Sequence, residues 1–328
     1  MFKLNRRSFT ALACSFAASL IASHSPAVSA WQPKNNVKVI VPFAPGGATD
    51  VLARIVSERL TQMWGQPVII ENVAGATGAV GAAQVARAAP DGLTLFVGTG
   101  SVNSALPSVK SDLNFDTLRD FKAVSLLATF PNILVVRPGL PVKNVPELIA
   151  LLKSRNGATN FASSGFGSSI HLAGELFKLQ TGTEMTHVPY RGSAPALTDL
   201  VAGHVDLMFD NLTNVMPHIE DGKITALGVA SARRTPYLPN VPAIAEFVPN
   251  FEATTWVGLL APAKTPEDII NAISADSDAV LKEPGIIERV KKLAAEPVGG
   301  SPTQFATFLK ADVERWKKVV KDANLKVE

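Results

Sequence analysis

Beyond residue 36 the chain alternates two hydrophobic patterns. Short apolar runs rich in β-branched residues predict strands at Val37–Pro42, Val68–Glu71, Leu93–Gly98, Ile133–Arg137, Thr159–Ala162, Thr186–Val188, Val205–Phe209 and Ile224–Ala230. The stretches between them predict helices at Asp50–Met63, Ala79–Ala89, Val145–Lys153, Ser169–Leu179 and Ala194–Ala202. Repeated strand–helix units imply parallel sheets with helices on both faces. The last third is helix-rich, with helices expected at Pro266–Leu281, Ile286–Leu293 and Pro302–Ala323. Within it, Trp256–Leu260 reads as a buried strand returning to the first part of the fold.

The joints between strands and helices are small and carry glycine. Phe43-Ala44-Pro45-Gly46-Gly47-Ala48-Thr49-Asp50 leads into the first helix. Phe161-Ala162-Ser163-Ser164-Gly165-Phe166-Gly167-Ser168-Ser169 repeats that design later in the chain. Asn72–Gly78 and Gly98–Asn103 are two more turns of the same kind. Gly46 and Gly47 can take positive φ and let a ligand approach the backbone. Thr49 is a candidate N-cap, and Asp50 falls in the first helical turn, where a carboxylate suits the dipole. Any one such turn reads equally well as a plain connection into a capped helix. Four of them point to binding, because ligands of open α/β sheets gather at the C-terminal ends of the strands.

None of these turns contains lysine or arginine, and that selects the anion. A carboxylate held by backbone N–H groups and hydroxyls gains about 1.5–3 kcal/mol per charge-assisted bond. A helix N-terminus adds roughly 0.3–2 kcal/mol. A few such contacts reach the roughly 8 kcal/mol of micromolar affinity. A nucleotide triphosphate would want fixed positive charge, and no Gly-x-x-x-x-Gly-Lys-Ser/Thr run occurs. Gly75, Gly78 and Gly81 only approach a dinucleotide fingerprint and break its first spacing.

The first thirty residues change the charge balance. Lys3, Arg6 and Arg7 precede a short apolar run, Ala11–Ala22, and Val28-Ser29-Ala30 supplies small residues for cleavage. This is an export signal, too short to span a membrane. Asn5-Arg6-Arg7-Ser8-Phe9 fits a twin-arginine signal as well as an ordinary secretory one. A lipoprotein reading through Cys14 is weaker, because Ala11 stands where a larger aliphatic is wanted. Without the signal the chain has 28 basic and 28 acidic residues, so composition argues for neither nucleic acid nor an anionic membrane as partner. Cys14 is the sole cysteine and leaves with the signal, so the remainder forms no disulfide or thiolate site. Roughly 300 residues suggest two domains.

Catalytic signals are sparse. No Gly-x-Ser-x-Gly elbow occurs. His171 and Glu175 stand four apart on one helix, as metal ligands can, with no third ligand in the sequence pattern. His187, His204 and His218 are scattered singly. Arg191, in Tyr190-Arg191-Gly192-Ser193, reads as a surface ion pair or a cleft residue. Asp210 lies at the cleft end of its strand, and Asp206 at the structural end.

The chain resembles the extracytoplasmic solute receptors of tripartite tricarboxylate transporters, the Bug/TctC-type proteins, from Val37 to the C-terminal helix. The resemblance rests on Pro42–Arg54, Val68–Gly78, Pro90–Leu95, Val188–Ala196 and Gly203–Asp210 taken together. It implies an α/β, two-domain periplasmic-binding-protein fold, type II-like, with two crossovers and the ligand cleft between domains. Residues 31–129 with 234–328 would form domain one and 130–233 domain two, with hinges near Thr129–Pro131 and Ser231–Arg233. The implied ligand is a small di- or tricarboxylate or aromatic acid, held through backbone amides and waters, without cofactor, metal or catalysis. The first ligand loop maps to Phe43, Pro45, Gly46, Gly47, Ala48 and Thr49, and the facing loop to Ser163, Ser164, Gly165, Gly167, Ser168 and Ser169. Lining positions map to Ala76, Thr77, Ser101, Asn103, Tyr190 and Asp210. Thr77 stands where many relatives have glycine. The implied setting is the periplasm, with a monomer delivering ligand to a membrane permease and a sensor kinase as a second candidate partner. The alternative is an exported α/β enzyme acting on a carboxylate in the same cleft.

Overall fold

The computed structural model describes residues 31–325, and the expected export signal lies outside the described residues. Eleven strands are present among the described residues: β1 Val37–Val41, β2 Val68–Asn72, β3 Thr94–Thr99, β4 Phe121–Phe130, β5 Asn132–Val136, β6 Asn160–Ser163, β7 Thr186–Pro189, β8 Leu207–Asn211, β9 Thr225–Val229, β10 Thr255–Pro262 and β11 Glu296–Pro297. They form two sheets, one ordered β11-β4-β10-β3-β1-β2 and the other β7-β6-β8-β5-β9.

Neither sheet is wholly parallel. β1 runs parallel to β2 and β3, and β6 runs parallel to β7 and β8, as strand–helix units require. β10 is antiparallel to β3 and β4, and β5 is antiparallel to β8 and β9. The reversed strands are the ones by which the chain enters each sheet from the other. β4 leaves the first sheet at its C-terminal edge, and after Pro131 alone the chain enters the second sheet as β5. A strand entering at the C-terminal edge must run against its βα neighbours. β10 repeats this on the way back. The two C-terminal edges therefore adjoin, joined by direct chain crossings.

Burial follows the strand period. In the first sheet Val37, Val39 and Val41 face one apolar layer with Leu52, Val56 and Leu60, while Ile40, Phe96 and Trp256 face another. In the second sheet Phe161, Phe209 and Leu134 face one layer, and Met208, Val135 and Ala162 the opposite one. All eight residues of β10 are buried, because neighbouring strands and two helix layers enclose it. The C-terminal helix Pro302–Asp322 starts with a reciprocal cap between Ser301 and Gln304. Its Phe305, Leu309 and Val313 pack on the first sheet, whereas Trp316, Val319 and Val320 join the apolar layer of the second.

The chain after β9 stays with the second sheet for some distance. Val229 N–H donates to Pro242 O at 2.9 Å, and Ala253 N–H donates to Ala230 O at 2.8 Å. Ile244, Val248 and Phe251 are buried in the layer that holds Phe161 and Phe177.

Candidate ligand cleft

The first-sheet edge is built by three turns. Gly47 is the N-cap of the helix Ala48–Trp64, with no side chain capping it. Thr49, expected as the cap, is the second helical residue. The first-turn N–H groups of such a helix have no partner within it. Behind the loop, the buried Asp50 carboxylate accepts Gly46 N–H at 2.9 Å, Asn72 Nδ2 at 2.8 Å, and Arg54 Nε and Nη2 at 2.9 and 3.0 Å. Burial works to raise the Asp50 carboxyl, but hydrogen bonds from Arg54, Gly46 and Asn72 outweigh it and hold the group below its ordinary range. Asn72 Nδ2 also donates to Phe43 O at 3.0 Å. The loop is thus braced from the rear, leaving Ala44, Pro45, Gly46 and Gly47 exposed and Phe43, Ala48 and Thr49 half-buried. The arginine at this turn is consumed by Asp50, so the loop itself offers main-chain donors.

The second turn is left-handed throughout, with φ of 136° at Gly75, 46° at Ala76, 55° at Thr77 and 91° at Gly78. Ala76 and Thr77 cost on the order of 1–3 kcal/mol each in that region. Gly78 is required as glycine, since a Cβ there would lie 2.6 Å from Val102 Cγ2 and 3.0 Å from Pro42 Cβ. That close approach seats the second turn against the roots of the first and third. In the third turn Ser101 is half-buried. Asn103 is fully buried and spends its Oδ1 on Thr99 N–H at 3.1 Å, so its side chain closes the turn from inside.

The second-sheet edge is organised by its own hydroxyls. Ser163 Oγ accepts Gly165 N–H at 3.1 Å and meets His187 Nε2 at 2.6 Å. Ser168 caps the helix Ser169–Thr181 by accepting His171 N–H at 3.2 Å, and donates to Gly165 O at 2.8 Å. Gly167 N–H donates to His171 Nδ1 at 3.2 Å. Ser164 and Gly165 remain half-buried at the surface of this loop. Beneath it, His171 and His187 stack with ring centroids 3.9 Å apart, flanked by Phe161 and Phe166. Burial pushes His171 down to about 3 and His187 to about 4, so both are neutral at pH 7. His171 Nε2 stands 3.7 Å from Glu175 Oε1. Among the described residues no three His, Cys, Asp or Glu side chains group as metal ligands.

Tyr190 and Asp210 complete this edge. Tyr190 N–H donates to Ser163 O at 3.0 Å, and its hydroxyl donates to Asp199 Oδ2 at 2.6 Å. Asp210 is fully buried; its Oδ1 accepts Ser193 Oγ at 2.9 Å, Asn211 N–H at 2.7 Å and Asn214 Nδ2 at 3.0 Å, while Oδ2 has no partner. Burial pushes the Asp210 carboxyl up to about 6 against those three donors.

The two edges meet at Ser101 and Ser169. Their hydroxyls lie 2.9 Å apart, and Ser169 N–H donates to Ser101 Oγ at 3.2 Å. Thr255 Oγ1, on the returning strand β10, is 3.5 Å from Ser169 Oγ. Asn72, Ser193 and Thr255 were outside the sequence-based set. Asn72 ends a strand before a glycine turn, which is a visible signal; the other two are recognised only from their partners.

A family model described as "Tripartite tricarboxylate transporter family receptor" matches residues 52–325. The chain belongs to the TctC receptor family. Its two lobes match a protein from R. palustris solved with adipate, 38% identical with a TM-score of 0.83, covering 89% of this chain and 98% of that one. MatC from Rhodopseudomonas palustris, solved with bound malate, is 35% identical with a TM-score of 0.79, covering 88% and 99%. The periplasmic binding protein BugD is 33% identical with a TM-score of 0.79, covering 90% and 99%. This TctC chain therefore has the two-lobe periplasmic-binding-protein fold and is a solute-binding receptor of that family.

Proposed function

We propose that this TctC receptor binds a small carboxylate between its two lobes, without turnover, and delivers it to a membrane permease. The observation that carries this reading is the adjoining of the two C-terminal sheet edges. Each brings small, glycine-bearing turns to the same gap, and the Phe43–Thr49 loop is braced so that its main-chain donors face outward. Adipate and malate in two solved relatives fit the same ligand class. Delivery to a permease follows from the family's role, and the receptor works as a monomer in the periplasm. The lobes move about two short hinges. Asn132 fixes them: its O accepts Ala230 N–H at 2.7 Å and its Nδ2 donates to Ala253 O at 2.6 Å. Thr255 in turn pairs with Phe130 in the first sheet. The proposed hinge points are therefore Pro131 and Thr254, with the stretch up to Ala253 moving with the second lobe in place of the 233/234 boundary expected from sequence, and with the C-terminal helix, packed on both sheets, spanning the crossings.

Native mass spectrometry of freshly purified protein, followed by calorimetry with a carboxylate panel and small-angle scattering, tests this. The expected result is micromolar binding of at least one acid with a smaller radius of gyration in the complex. No binding across the panel and no compaction would end the proposal; product formation from the bound acid would favour the exported enzyme.

A further inference from the structure

The two hydroxyls of the Tyr190–Ser193 turn are wired the same way. Tyr190 Oη gives its proton to Asp199 Oδ2 at 2.6 Å, and Ser193 Oγ gives its proton to Asp210 Oδ1 at 2.9 Å. An ionised carboxylate only accepts, so the serine must donate. What remains on Ser193 Oγ is lone-pair capacity, half-buried at the C-terminal edge of the second sheet. Directly behind it lies the Asp210 carboxylate, fully buried, with Oδ2 unpartnered and no cation bonded to it. The opposite edge has the reverse polarity. There the Asp50 charge is matched by Arg54, and the loop presents backbone N–H groups. A carboxylate suits the first edge. At the Ser193 corner it would meet lone pairs backed by a buried negative charge, an arrangement that favours a donor on the ligand.

We propose that Ser193 is a specificity residue, held as an acceptor by Asp210, which selects a carboxylate carrying an amino or hydroxyl substituent over an unsubstituted one. This rests on the carboxylate-binding reading above and narrows it. Asp210 acts as a positioning residue: it fixes the direction of the Ser193 proton and supplies the local negative potential.

Calorimetry with succinate, malate and aspartate, a matched four-carbon set, tests it on the wild type, Ser193→Ala and Asp210→Asn. The wild type is expected to bind malate or aspartate about tenfold or more tightly than succinate. Ser193→Ala should bring that ratio to within about threefold, mainly by weakening the substituted acid. Asp210→Asn, which keeps the shape and removes the charge, should lower the aspartate-to-succinate ratio while leaving succinate unchanged or tighter. Equal affinity for succinate and the substituted acids would overturn the proposal, as would a uniform loss for all three in both variants. Ser193 is half-buried, so its alanine variant remains informative if the Asp210 variant does not fold. Failure of all three acids alongside binding of another unsubstituted acid also overturns it, whereas failure of the whole panel removes the parent reading instead.

Discussion

The stacked pair His171 and His187 makes acid sensitivity of the second lobe a quantitative expectation. Both histidines are held neutral by burial, at about 3 and about 4 against an ordinary 6.5. The unfolded chain takes up protons near pH 6.5 while the native chain does not, so native stability falls as pH drops from 7 to 5. The two contribute a loss of about 3 kcal/mol over that interval, with His187 discounted for its partial exposure. Asp210 acts in the opposite sense. Its carboxyl is raised to about 6, so the native state takes up a proton that the unfolded state does not, and about 1 kcal/mol is regained by pH 5. The net loss is about 2 kcal/mol. Carboxyls held below their ordinary range, such as Asp50, lose their contribution only at lower pH and do not enter this window. Urea denaturation at pH 7 and pH 5 reads the difference directly. His187→Gln, which retains a partner for Ser163, should reduce the loss to about 1 kcal/mol or less, and Asp210→Asn should enlarge it to about 3 kcal/mol. A flat profile in the wild type, or shifts of the two variants in the same direction, would refute the account of buried neutral rings opposed by a buried acid.

Two substitutions probe the frame that holds the cleft. Asn132→Ala removes the 2.6 Å bond to Ala253 O at the crossing, and should destabilise by about 1–3 kcal/mol while loosening closure, read as weaker ligand affinity with a larger unliganded radius of gyration. An unchanged radius would detach Asn132 from the hinge. Gly258→Ala places a Cβ 2.4 Å from Phe305 Cζ and 3.0 Å from Ser125 O, so the C-terminal helix must shift; thermal unfolding should show a loss of about 1–3 kcal/mol, and a neutral result would mean that this helix is not locked against β10.

The βα units were legible because each strand and each helix announces itself over a short window. The helix expected at Ser169–Leu179 is observed at Ser169–Thr181, and the strand expected at Val68–Glu71 at Val68–Asn72. The elements that set the architecture were less so. β4 is the longest strand, yet its sequence Phe121-Lys122-Ala123-Val124-Ser125-Leu126-Leu127-Ala128-Thr129-Phe130 has neither clean alternation nor a turn at its end, because it runs straight on towards the second sheet. The reversed directions of β5 and β10 are consequences of crossing between lobes, and no local window reports a partner so far along the chain, such as Val229 for Ile133 or Thr99 for Val257. The same limit applies at the cleft. Glycine turns between strands and helices identify the loops, since they are local. Whether a hydroxyl in such a loop faces a ligand depends on who else wants its proton. Ser163, Ser168 and Ser193 look alike in sequence. The first is taken up by Gly165 and His187, the second caps its own helix, and the third is turned into an acceptor by an aspartate seventeen positions on. A residue type states which bonds are available; the long-range partner decides which remain for the ligand, and that is why polarity within the cleft, more than its location, had to come from the fold.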